Sequence, residues 1–144
     1  MTKSPAGACG PRFALLLTGA ATLAWLSLED PSLWPPLSLG TALASLLTLQ
    51  VLVGRLYRRD IGVGRRIVLA TAGGSLAGAC AAPIAVGLMQ FKNVQHAHSI
   101  PDFPVVILIS TLQLAPQMAL GGALAGMALG LSGLLLHEGR RAAQ

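Results

Sequence analysis

FPVVILISTLQLAPQMALGGALAGMALGLSGLLL, residues 103–136, runs for 34 residues without an aspartate, glutamate, lysine, arginine or histidine. As one straight α-helix it would be about 51 Å long, against about 30 Å for the hydrocarbon core of a bilayer. A run this long and this apolar reads as a membrane segment. Pro116 divides it. A proline inside a helix removes one hydrogen bond and crowds the preceding turn, so a break or kink is expected there. The preferred reading is a short helix over residues 103–114, capped by Asp102, leading into a span over residues 116–137. A single tilted helix kinked at Pro116 is the alternative. Two spans joined by a turn at Gly121-Gly122 would put the C-terminus on the other side.

The rest of the chain has the same character. Of its 144 residues 53% are hydrophobic and 10% charged, with a mean hydropathy of +0.68. A soluble domain carries about 25% charged residues to cover its surface, so most of this surface has another solvent. Three more apolar segments occupy residues 13–28, 37–54 and 67–90. The first is short for a crossing, at about 24 Å, and the second follows the helix-entry prolines Pro35 and Pro36. The expected fold is an all-α integral membrane protein, a single membrane domain with four transmembrane helices and a short additional helix before the last span.

Charge gives the orientation. With four spans, Lys3, Arg12, Arg55, Arg58, Arg59, Arg65, Arg66, Arg140 and Arg141 share one side, and Lys92 alone is on the other. The positive-inside rule then puts both termini in the cytoplasm of a cell whose inner membrane holds the chain. The net charge of +5 is therefore read as a topology signal and not as a nucleic-acid surface. Phe13, Trp25, Trp34, Tyr57, Phe91 and Phe103 all fall at or near span ends, which suits an interfacial aromatic belt. The N-terminal segment also resembles a secretory signal, but no small-x-small cleavage site follows it, so it is expected to remain. Cys9 and Cys80 are too differently placed for a disulfide and read as free thiols.

Two matched heptapeptides stand out among the 17 glycines. Residues 73–79 read GGSLAGA and residues 121–127 read GGALAGM, identical at five of seven positions. Gly74, Gly78 and Ala82 recur every four residues, as do Gly122, Gly126 and Gly130. Small residues at that spacing form a groove on one helix face, where a second backbone approaches closely. The expected use is a helix interface, between the third and fourth spans or with a partner subunit.

Candidates for chemistry are few. The segment 91–102, FKNVQHAHSIPD, is expected to be a loop. His96 and His98 are two residues apart, so in an extended loop both imidazoles point the same way and could share a divalent transition metal with Asp102. Two histidines are short of the four ligands of a closed zinc site, and a polar or partner-docking loop is the simpler reading. Axial ligation of a haem or pigment normally asks for a helical histidine facing an apolar slot and is the weaker variant. Ser110, Gln113 and Gln117 follow i, i+3, i+7 spacing and share one helix face around Pro116. No ionisable group lies near the middle of any apolar segment, which argues against a proton-coupled carrier. His137-Glu138 begins like the zinc-protease HExxH, but Arg141 takes the last position. No catalytic constellation is recognisable and no enzymatic activity is expected. The expected function is a small accessory or assembly subunit of a membrane complex, or a homo-oligomer, packing through its small-residue faces. A metal-handling membrane protein is the competing class.

Overall fold

The computed structural model describes residues 9–28, 32–56, 62–96 and 101–142, and every regular element in them is helical. The five helices are α1 (Cys9–Leu26), α2 (Trp34–Leu56), α3 (Val63–His96), α4 (Val105–Gln113) and α5 (Ala115–Ala142). Three stretches are long and apolar enough to cross a membrane: Trp34–Leu52, Gly64–Gln95 and Val105–Gly133. The N-terminal segment, expected to be one of four spans, forms a shorter apolar stretch, Phe13–Leu26, about 20 Å long.

Proline placement follows backbone chemistry. Pro35 and Pro36 sit in the first turn of α2, where an N–H would have no intrahelical acceptor. Pro83 lies inside α3, which nonetheless runs unbroken for 34 residues. Pro116 has the stronger effect. Its missing N–H leaves the carbonyl of Leu112 without the usual i+4 donor. The ladder tightens just before it: the Leu114 N–H donates to Thr111 O at 3.1 Å, and Leu114 keeps a helical conformation at φ −74°, ψ −14°. Helix α5 resumes at once, with the Met118 N–H donating to Leu114 O.

The break does not shift the pairing with α3. A Cβ on Gly130 would approach Ile67, one on Gly126 the carbonyl of Ala70, one on Gly122 the carbonyl of Gly74, and one on Gly78 the carbonyl of Met118. Beyond the break, Asn93 meets Phe103. In every pair the two residue numbers add to the same value within one. Helices α4 and α5 thus form one antiparallel partner for α3 along its whole length. Helix α2 also packs on α3, where Gly40 brings a would-be Cβ within 2.7 Å of Ala81 O and 2.9 Å of Ala85 N. Side chains at these crossings are small: Ala44, Ala81, Ala82 and Ala85 are buried. Helix α1 packs on α2, whereas α2 and α5 both pack on α3 and make no comparable contact with each other.

Three expectations change. Asp102 does not cap the short helix; Pro104 takes the N-cap position, with no side-chain cap bond, because Phe103 turns inward. The segment 91–102 is not all loop, since Phe91–His96 are the last residues of α3 and residues 97–100 lie outside the described set. The aromatics do not form one lipid-facing belt. Trp34, Phe13 and Phe91 are exposed while Trp25 and Phe103 are buried, and Tyr57 is outside the described residues.

Candidate functional site

Two features carry polar chemistry. The first is a buried lysine at the C-terminal end of α3. Ala81, Ala85, Met89 and Lys92 follow helical spacing and all are fully buried, so Lys92 continues the apolar stripe of α3 and does not point into a loop. Its Nζ lies 4.6 Å from the ring centroid of Trp25, at the end of α1, and 6.0 Å from that of Phe103. The two rings are 6.4 Å apart and tilted by 45°. A desolvated ammonium over aromatic faces gains about 2 kcal/mol from the ring quadrupoles. Met89, Leu26 and Leu108 belong to the same buried cluster as the two rings. The Trp25 indole N–H finds no acceptor among the described residues.

Asn93 locks the adjoining turn. Its Nδ2 donates to Phe103 O, and its Oδ1 accepts from the Phe103 N–H, both at 2.9 Å. One carboxamide thereby satisfies both backbone groups of a buried residue that belongs to no helix. Replacing Asn93 with alanine strands both groups, and an unpaired buried polar group costs about 1–3 kcal/mol. The expected result is a loss of about 2–4 kcal/mol in reversible unfolding in mixed micelles. Aspartate, which keeps the acceptor only, should fall between alanine and the native residue.

The second feature is the outer face of α4–α5. Ser110, Gln113 and Gln117 are all exposed. The Ser110 hydroxyl donates to Ile107 O within its own helix, but neither glutamine side chain has a partner among the described residues. Gln117 lies near the middle of the apolar stretch Val105–Gly133.

The other candidates are placed as follows. Gly74, Gly78, Gly122, Gly126 and Gly130 face the opposite backbone across the α3–α5 crossing, and Ala82 is fully buried. His96 closes α3, His137 lies within α5, and His98 falls outside the described residues. Asp102 is half-buried. Among the described residues no three His, Cys, Asp or Glu form a group suited to a metal ion. Cys80 is a free, half-buried thiol. Compared with protein-family models, with curated proteins and with solved structures, the chain gives no match.

Sequence reasoning saw Lys92 only as the lone base on its side. The available signal was its register with Ala81, Ala85 and Met89; the meeting of Trp25 with Phe103 carries none.

Proposed function

We propose that the chain is an accessory or assembly subunit of a membrane protein complex, and that it holds a partner helix on the outer face of α4–α5. The observation that carries this is the pair Gln113 and Gln117, exposed and unpartnered within an apolar span. Each carboxamide brings two N–H donors and one carbonyl acceptor. In hydrocarbon such groups have no water to bond, and leaving them unsatisfied is unfavourable by several kcal/mol. A facing helix with polar side chains relieves that cost, at about 0.6–2 kcal/mol per interhelical bond. Burial points the same way. No more than 17% of the residues in any spanning window are buried within the chain, which leaves most of each helix to lipid or to other subunits. The glycine faces are engaged inside this chain, so the partner meets the carboxamide face and not the α3–α5 seam.

In this reading α1, at about 27 Å, is a fourth and short crossing. The nine bases at its start, at and between the facing ends of α2 and α3 and at the C-terminal end of α5 then lie in the cytoplasm, under the positive-inside rule. The reading assigns the chain no catalysis, cofactor or metal.

The test is purification in a gentle detergent followed by native mass spectrometry, with metal analysis on the same sample. The native chain should appear in a larger assembly of fixed stoichiometry and without bound metal. Replacing Gln113 and Gln117 together by leucine should release it as a folded monomer. A native chain that runs alone, or an assembly indifferent to the double substitution, overturns the reading. A stoichiometric metal lost in His96→Ala with His98→Ala puts the metal-handling class in its place.

A further inference from the structure

Helices α2, α3 and α5 enclose a groove of about 960 Å³. It follows from the packing: α2 and α5 both lean on α3 and make no comparable contact with each other, so the face of α3 between them is left open. Gly74 and Ala77 line its floor, Ser45 and Thr48 of α2 and Gly121 of α5 its walls, and Arg66 one end. Its lining runs from Arg66 to Gly78 on α3 and from Met118 to Gly133 on α5, twelve and fifteen residues on, or about 18 and 22 Å. Both fall short of a hydrocarbon core about 30 Å thick. A transmembrane partner helix crosses the whole thickness. A groove shorter than the core, mostly apolar and bearing a guanidinium at one end, matches a single lipid with its headgroup at that end.

We propose that this groove is a binding site for an anionic phospholipid, with an acyl chain lying on the floor of α3 and the phosphate at Arg66. This takes only the membrane setting from the function proposed above. The small floor lets a methylene chain lie against backbone, which no adjacent bulky side chain would permit. Arginine suits the headgroup, because its planar fork bonds two phosphate oxygens at once. The neighbouring Arg65 adds charge at the same surface, where basic residues attract anionic lipid. Ser45 and Thr48 lie level with the Gly78 end of the floor, away from Arg66, and the site needs neither for its charge selectivity.

The test is native mass spectrometry of the full chain, exchanged into equal amounts of phosphatidylglycerol and phosphatidylcholine with identical acyl chains. One phosphatidylglycerol per chain should be retained when bulk detergent is stripped. Gly121→Leu fills the groove, and it should fold, because a Cβ there meets nothing within 4 Å; it should retain neither lipid. Arg66→Gln should lower the preference for phosphatidylglycerol about fivefold, the equivalent of one basic residue at a membrane surface. Equal retention of the two lipids by the native chain overturns the proposal, as does a Gly121→Leu chain that still carries its lipid. The Gln113→Leu, Gln117→Leu chain should keep its lipid, so this site and the partner face fail or stand separately.

Discussion

Alanine at Gly122 is expected to break the α3–α5 pairing, while alanine at the adjacent Gly121 leaves it intact. The two glycines are neighbours at one depth in one helix, so lipid exposure and helix propensity hardly distinguish them. Only their directions differ. A Cβ on Gly122 would meet the carbonyl of Gly74, while one on Gly121 meets nothing within 4 Å. A backbone carbonyl cannot rotate away as a side-chain tip does, so the helices must separate along a seam where Gly78, Gly126 and Gly130 also sit close. Overpacking commonly costs about 1–3 kcal/mol and sometimes more. Here backbone meets backbone, and about 3 kcal/mol or more is expected. Gly121→Ala should be neutral, or more stable by up to about 1 kcal/mol, since alanine is the better helix former. Reversible unfolding in mixed micelles checks both. Gly74→Ala should match Gly122→Ala because the clash is reciprocal, and Gly87→Ala, with open space around it, should match Gly121→Ala. Equal effects at Gly121 and Gly122 would contradict the seam.

The second large effect is expected at Trp25. Alanine there removes a side chain that is only 5% exposed, which typically costs about 3–5 kcal/mol. It also takes one of two aromatic faces from a fully buried ammonium. The two contributions separate in a double-mutant cycle. Lys92→Met keeps the length of the side chain and removes its charge, so the coupling between the two substitutions isolates what the ring contributes to the ammonium. Trp25→Ala should therefore be less damaging by about 2 kcal/mol when methionine already stands at Lys92. Additivity of the two substitutions in the same unfolding experiment would mean that the ring packs beside the lysine without stabilising its charge.

The elements differ in how far the sequence revealed them, and the reason is physical. Absence of charge is a local property, so the run 103–136 declares its solvent without any knowledge of the fold. The interruption near Pro116 is local in the same way, because a missing N–H acts on its own helix. Where α4 begins is not local. Asp102 is a good cap by type, yet Asn93, ten residues earlier, captures both backbone groups of Phe103 and delays the helix to Val105. Lys92 shows the same limit. By charge it belongs at a membrane surface; its register on α3 places it in the buried stripe, and the rings that make burial tolerable come from two distant segments. The small-residue spacings mark faces that admit a close neighbour, but spacing alone does not say which helix arrives. For Ser110, Gln113 and Gln117 the shared face is a matter of periodicity. Whether it turns inward or outward depends on α3, which packs against Leu108 and Thr111 instead.

That outward turn is what the functional reading rests on, and it can be tested at a single position. A photoreactive benzophenone side chain in place of Gln117, activated in intact membranes, reports what lies against the middle of the α4–α5 face. The account predicts a discrete cross-linked protein product of defined mass, either a second copy of this chain or another membrane subunit, and none from the same probe placed at Val68 on the exposed side of α3. Lipid adducts alone at Gln117, with the chain otherwise uncrosslinked, would mean that the carboxamides face the bilayer and that the partner-binding account is wrong.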